Sequence, residues 1–309
     1  MHSVGLIVPT LNPGDLWQRW LAAFKAQCAK PCLRLVIDSS STDATVTVAR
    51  QHGFEVEVIP RGAFNHGGTR QHGVLRLRDA DIIVFLTQDA VLAHSDALAR
   101  LVACFADQTV AAAYGRQLPH PDAGPIGAHA RLFNYAPTSA LRTLADRQQL
   151  GIKVAFLSNS FAAFRRSALL AVGGFPTTTI MNEDTYVAGK LLLAGWKIAY
   201  CAEAAVYHSH DYPLAVECRR YFDIGVFHAR EPWLRQTFGA PEGEGRRFVL
   251  SELRYLARYA PSALPEALVR TGLKWLAYRL GCCERVLPWG VKRGLSLQRG
   301  FWEPARETV

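Results

Sequence analysis

Asp81-Ile82-Ile83-Val84-Phe85-Leu86-Thr87-Gln88-Asp89-Ala90 is the stretch that decides the fold. Five consecutive apolar residues between polar ones read as a strand buried on both faces, as in a parallel sheet. The polar cluster comes at its carboxyl end. Working outward, Gly5–Thr10 and Leu33–Ile37 repeat the apolar run, and Val56–Ile59 is a shorter strand. Helical spacing fills the gaps: Leu16–Gln27, a segment opening near Thr42, and Thr69–Leu77. Ser95 reads as an N-cap for a helix reaching about Ala106. Strand alternating with helix predicts an α/β fold, a mostly parallel sheet with helices on both faces. Ligands bind such sheets at the carboxyl ends of strands. Asp38 and Gln88-Asp89 fall there.

Further along, Pro119, Pro121, Gly124, Pro125 and Gly127 mark residues 115–157 as a loop-rich insertion. A strand Ser160–Phe164 follows, then Gly173-Gly174-Phe175-Pro176, a helix from about Asp184 to Ala194, and a strand Lys197–Tyr200. From about Tyr212 the chain reads as helical. The division expected is 1–230 as one α/β domain and 231–309 as a basic, amphipathic helical region.

The chain has 309 residues, half of them hydrophobic, which is enough for a large core. No signal-peptide pattern follows Met1, and no apolar stretch is long enough to span a bilayer. Seven cysteines without a C-x-x-C pair read as free thiols rather than a zinc site or disulfide framework. The net charge of +9 is uneven: residues 246–309 hold twelve Lys or Arg against five acids. That concentration points to an anionic partner there.

Five polar constellations carry chemistry. Asp38-Ser39-Ser40-Ser41-Thr42-Asp43 links a strand to a helix. It suits a helix cap, and also a carboxylate that accepts a pyrimidine N–H beside an anion-binding helix terminus. Thr87-Gln88-Asp89-Ala90 puts an acid at a strand end, poorly placed for stability but suited to an oxygen-liganded cation. Asn182-Glu183-Asp184 opens a helix. Paired acids there serve as caps, or as a general base whose pKa a neighbour raises. Tyr207-His208-Ser209-His210-Asp211 is either a polar loop or the source of a metal ligand. Arg61-Gly62-Ala63-Phe64-Asn65-His66-Gly67-Gly68-Thr69-Arg70 combines glycines, which let backbone approach a ligand, with an arginine suited to phosphate.

Taken in order, Val8-Pro9-Thr10-Leu11-Asn12, Asp38 with Ser41-Thr42-Asp43, the apolar strand into Gln88-Asp89, Gly173-Gly174-Phe175 and Glu183-Asp184 resemble glycosyltransferase family 2 over roughly residues 3–230. Phe64-Asn65-His66-Gly67-Gly68-Thr69-Arg70 with Thr87-Gln88-Asp89-Ala90 resembles the bacterial rhamnosyltransferases of that family, which use dTDP-L-rhamnose. The resemblance implies the GT-A fold, Rossmann-like, with a C-terminal helical extension. It also implies roles. Thr10 and Asn12 line the nucleoside pocket, Asp38 reads the base, and Arg70 lies near the diphosphate. Gln88 and Asp89 contact the nucleotide sugar. Asp89 matches the last acid of the D-x-D metal motif, although positions 87 and 88 are Thr and Gln. His208, in preference to His210, adds a ligand for Mg²⁺ or Mn²⁺. Asp184 matches the catalytic base, with Glu183 beside it.

The implied reaction is inverting transfer of a sugar, L-rhamnose by this resemblance, onto a glycan or lipid-linked saccharide in lipopolysaccharide or other surface-polysaccharide synthesis. Alternatives are another nucleotide sugar on the same fold, or a non-catalytic nucleotide-sugar- or glycan-binding protein. The latter would tolerate loss of Asp89 and Asp184, yet both are present. A nicotinamide-dependent dehydrogenase needs G-x-G-x-x-G after the first strand, and Pro9-Thr10-Leu11-Asn12-Pro13-Gly14 is not that. The basic region 246–309, carrying Trp275, Trp289, Trp302 and helically spaced leucines, suits either packing on the core or an anionic membrane surface. No nucleic-acid-binding motif is present. These readings place the enzyme in the cytoplasm, peripheral on the inner face of the membrane.

Overall fold

The structure is a computed structural model that describes residues 2–239 and 242–303. Arg306 and Glu307 of the basic region lie outside the described residues. Among the described residues nine strands form one sheet: β1 Val4–Thr10, β2 Leu33–Asp38, β3 Glu55–Val58, β4 Ile82–Leu86, β5 Val91–Leu92, β6 Val110–Leu118, β7 Ala140–Arg142, β8 Phe161–Arg165 and β9 Lys197–Tyr207. The order is β3-β2-β1-β4-β8-β6-β9-β5, with β7 pairing β9.

The β3-β2-β1-β4 half is parallel throughout. β8 is antiparallel to both β4 and β6, whereas β6 and β9 are parallel to each other. β1, β2, β3, β4, β6 and β9 therefore all point the same way, and their carboxyl ends share one edge with the start of β8. Alternate residues of β1 and β4 feed opposite faces. Leu6, Val8, Ile82, Val84 and Leu86 join one core with Trp17, Trp20 and Phe24. Ile7, Ile83 and Phe85 join the other with Val74, Leu169, Val187 and Phe222. Burial on both faces is why these strands read as unbroken apolar runs.

The helices are α1 Leu16–Lys25, α2 Thr45–Gln51, α3 His66–Arg76, α4 Ala97–Ala103, α5 Pro125–Asn134, α6 Arg147–Leu150, α7 Arg166–Ala171, α8 Glu183–Leu193, α9 Leu214–Arg230, α10 Pro232–Phe238, α11 Glu242–Tyr259, α12 Leu264–Cys282 and α13 Trp289–Leu295. Three expectations need correction. Asp96, not Ser95, occupies the N-cap of α4, which ends at Ala103 before a 3₁₀ turn Cys104–Ala106. Residues 115–157 are more ordered than their Pro and Gly content suggests, holding the end of β6, α5, β7 and α6. β9 runs on to Tyr207, because its pairing with β6 steps from Gly115↔Cys201 to Arg116↔Ala205 across an irregularity. Gly115 makes room for it: a Cβ there would lie 2.3 Å from Phe161 Cδ1 and 2.4 Å from the Ala204 carbonyl.

α12 docks on α9, and α11 packs on α5 and α12. A Cβ on Gly281 would sit 2.1 Å from the Phe222 carbonyl, and one on Gly225 would sit 2.2 Å from the Tyr278 carbonyl, so α9 and α12 cross with their backbones touching. Arg270 and Lys274 of α12 pair with Glu217 of α9 at 2.9 and 3.3 Å. Part of the basic excess thus serves packing.

Candidate functional site

The β1 and β2 ends form the first part of the site. Register sets Thr10 opposite Asp38, and Thr10 Oγ1 donates to Asp38 Oδ2 at 2.8 Å. Ser41 adds its N–H to Oδ1 at 2.7 Å and its hydroxyl to Oδ2 at 2.6 Å. Asp38, fully buried, is thus held by three donors and ties the two loops together. Asn12 completes the seam, its Oδ1 accepting from the Thr42 N–H at 2.8 Å. Gln88, expected to contact nucleotide sugar, spends its amide on the Leu11 backbone. Oε1 accepts from Leu11 N at 2.7 Å and Nε2 donates to Leu11 O at 3.1 Å. An amide can donate and accept at once, which an ionised acid at this position could not do.

Asp89, just past β4, meets the residues just past β9. His208 Nε2 and His210 Nε2 lie 3.4 and 3.3 Å from Asp89 Oδ2 and 3.0 Å from each other. The three donor atoms fall within 4.8 Å of one another. One oxygen and two imidazole nitrogens converging on a point fit a divalent cation such as Mn²⁺. Burial opposes ionisation of Asp89, but the hydrogen bond and charge of His208, with Thr87 and His210, outweigh it and hold the carboxylate well below its usual range. Burial, reinforced by His208, lowers His210 to about 4, so its ring is neutral near pH 7. Asp211 accepts from the Gly124 N–H at 2.8 Å. A Cβ on Gly127 would come within 2.4 Å of Asp211 Oδ1, so the glycines before and inside α5 let that helix close on the histidine strip.

Glu183 and Asp184 open α8 behind Asn182, whose φ of 58° is left-handed. Arg70, expected near a diphosphate, instead pairs with Glu183 at 3.1 Å and donates to the His66 carbonyl at 2.9 Å; it is 5% exposed. Its charge is committed inside the protein because the acid opposite is itself buried. Burial opposes ionisation of Glu183, but Arg70, His66 and the Asn159 amide together hold it as a carboxylate. Asp184 goes the other way. Burial first, and then the Glu183 charge, push it up to about 7. Asp184 still accepts from Asn159 N at 3.2 Å and Thr185 N at 2.7 Å. Gly67 is required where α3 meets this corner, since a Cβ there would lie 1.8 Å from the Pro176 carbonyl.

Sequence reading missed Gln117, Arg131, Ser158 and Asn159. Asn159 Nδ2 donates to Glu183 Oε1 at 2.9 Å, and Ser158 Oγ accepts from Gln117 Nε2 at 2.9 Å. Ser158-Asn159-Ser160 therefore spans from the Asp89 side of the site to the Asp184 side. Its signal was the polar triplet before an apolar strand, which is informative only once β8 is known to run antiparallel.

Residues 2–222 match the family described as glycosyltransferase like family 2. The chain is 49% identical over 301 residues to the O-antigen chain rhamnosyltransferase RfbN of Salmonella typhimurium, covering 97% of this chain and 96% of that protein. It is 47% identical over 303 residues to the O-antigen chain rhamnosyltransferase WbaN of Salmonella anatum, covering 98% and 96%. Among solved structures it resembles the mannosyltransferase PcManGT from Pyrobaculum calidifontis, in complex with GDP-Man and Mn²⁺. The TM-score is 0.57 at 21% identity, covering 97% of this chain and 85% of that one, a likeness of fold.

Proposed function

The chain belongs to glycosyltransferase family 2, and from that premise we propose that it is an O-antigen chain rhamnosyltransferase. It would transfer L-rhamnose from dTDP-L-rhamnose, with inversion, to a lipid-linked saccharide in lipopolysaccharide synthesis. Near-half identity along almost the full length of two O-antigen chain rhamnosyltransferases supports the donor and pathway. The structural observation that carries the chemistry is one sheet edge holding both a convergent Asp89-His208-His210 cluster and a carboxyl raised to about 7, Asp184.

Thr10, Asn12 and Asp38 shape the nucleoside pocket, and Asp89 with His208 and His210 would hold Mg²⁺ or Mn²⁺. When bound there, the cation supplies electrostatic stabilisation to the departing diphosphate. Asp184 takes the proton of the acceptor hydroxyl. The hydroxyl oxygen bonds to the anomeric carbon from the face opposite the leaving oxygen as that C–O bond breaks, which inverts the configuration; inverting glycosidases use a carboxylate base in the same way. A base titrating near 7 is ionised in about half the molecules at neutral pH and still strong enough to accept a proton. Glu183, kept charged by Arg70, sustains that elevation.

The enzyme would work at the inner face of the cytoplasmic membrane. Leu268, Val269, Leu273, Trp275 and Leu276, on one side of α12, are 37–65% exposed. A helix with an apolar stripe of that kind in a basic segment lies on anionic lipid rather than through it. Among the described residues no helix is long and apolar enough to cross a membrane.

The test is calorimetric titration with dTDP-L-rhamnose, UDP-glucose and GDP-mannose, each with and without Mg²⁺ or Mn²⁺, repeated on Asp89→Ala. The reading expects selective, metal-dependent binding of dTDP-L-rhamnose that weakens in the variant. Preference for another donor removes the rhamnose assignment, and metal-independent binding unchanged in Asp89→Ala removes the cation site.

A further inference from the structure

Gln117, on β6 and 2% exposed, is a buried polar side chain to which the chemistry above gives no part. Its Oε1 accepts from His208 Nδ1 at 2.8 Å and from Arg131 Nη1 at 2.6 Å, and its Nε2 donates to Ser158 Oγ at 2.9 Å. Which end of an amide is oxygen is normally a matter of choice. Here chemistry decides it. A guanidinium only donates, so the atom facing Arg131 must be the oxygen. The His208 nitrogen facing the same oxygen must then be an N–H. With a proton fixed on Nδ1 by that contact, Nε2 is the ring nitrogen left to ligate a cation. Nε2 is the atom turned toward Asp89 and His210.

We infer that Gln117 is a positioning residue: anchored by Arg131 and Ser158, it fixes the tautomer and ring plane of His208 so that Nε2 is presented as a cation ligand beside Asp89. The inference rests on reading Asp89-His208-His210 as the cation site. Partners on the far nitrogen of a ligating histidine commonly change metal affinity by 10–100-fold when removed. Without the Gln117 oxygen, His208 is free to carry its proton on Nε2, where it must be displaced before a cation can bind.

Two measurements on the full-length protein decide the matter, with Gln117→Leu removing the acceptor and Gln117→Glu keeping one. Long-range ¹H–¹⁵N correlation spectra, with the His208 ring assigned by comparison with His208→Gln, report the tautomer in the absence of metal. The wild type and Gln117→Glu should show the Nδ1–H form, and Gln117→Leu should lose it. A wild-type ring that lacks the Nδ1 proton, or an unchanged ring in Gln117→Leu, overturns the inference. Mn²⁺ titration should give about 10–100-fold weaker binding for Gln117→Leu and near-wild-type binding for Gln117→Glu. Equal affinity in Gln117→Leu, or an equal loss in a folded Gln117→Glu, also overturns it. If the wild type and Asp89→Ala bind Mn²⁺ alike, the cation-site reading has failed instead, and the metal-free spectra alone decide the role of Gln117.

Discussion

Replacing Asp184 with Asn should change how stability depends on pH, not merely its level. Asp184 is raised from 3.8 to about 7, by burial first and Glu183 second. The unfolded chain releases that proton near the ordinary value, so between about pH 4 and pH 7 the folded protein holds a proton that the unfolded one has lost. Stability therefore falls as pH rises through this window and is level above it. The full shift corresponds to about 4 kcal/mol at 1.36 kcal/mol per unit. Asp184 is only half-buried by its exposed surface, although protein surrounds it closely, and solvent screening reduces the effect to about 1–2 kcal/mol. Asn cannot accept from both Asn159 N and Thr185 N, which costs about 1–3 kcal/mol at every pH and cancels in the slope. Asp223, lifted to about 6 mainly by burial, adds a slope of the same sign to both proteins and cancels as well. Urea midpoints between pH 4.5 and 8 measure the difference. The wild type should lose about 1–2 kcal/mol more than Asp184→Asn across that range, while the variant loses transfer activity by about 10²–10⁴-fold. Parallel stability curves would show that the carboxyl is not perturbed and would remove the argument for its role as base.

The acid limb of the pH–rate profile should rise through about pH 7. Glu183→Gln should move it to lower pH, because the lost charge no longer raises Asp184 and Arg70 is left unpaired; an unmoved limb refutes the coupling. Gly67→Ala places a methyl 1.8 Å from the Pro176 carbonyl, whereas Gly68→Ala meets nothing closer than Asn65 Oδ1 at 3.4 Å. Urea melts should therefore show a loss of about 3 kcal/mol or more for the first and far less for the second. Trp275→Ala combined with Leu276→Ser should reduce co-sedimentation with phosphatidylglycerol vesicles, more so at high salt. Binding unchanged by both substitutions and by salt would end the membrane reading.

The parallel half of the fold was legible because β1, β2 and β4 are buried on both faces and their apolar runs stop where the site begins. The antiparallel element was not. Nothing local in Phe161-Ala162-Ala163-Phe164-Arg165 fixes strand direction, which β4 and β6 impose from either side. β6 escaped notice for a related reason: Ala111-Ala112-Ala113 has little β preference of its own, and burial between β8 and β9 makes it a strand. The same gap explains Arg70 and Gln117. A lone arginine after two glycines reads as a phosphate ligand until a buried acid from α8 is placed against it. A lone glutamine reads as nothing until a histidine from a distant segment supplies the contact.

The backbone marks the same edge without reference to any motif. Among the described residues, Asn12, Ser40 and Asn182 are the non-glycine residues with positive φ, at 44°, 62° and 58°. Each sits in a loop of the site: after β1, after β2 and immediately before α8. Asn tolerates the left-handed conformation better than most residues, whereas it costs a residue such as Ser40 about 1–2 kcal/mol and survives there only where surrounding contacts enforce it. Here those contacts are visible. Asn12 is held by Ser41 and Thr42, and Ser40 Oγ donates to the Ile59 carbonyl at 2.8 Å. The same edge carries a carboxyl forced toward neutrality and an ion pair removed from water. Left-handed backbone and unfavourable charge gather where six strands end and one begins, which is what selection for chemistry rather than stability leaves behind.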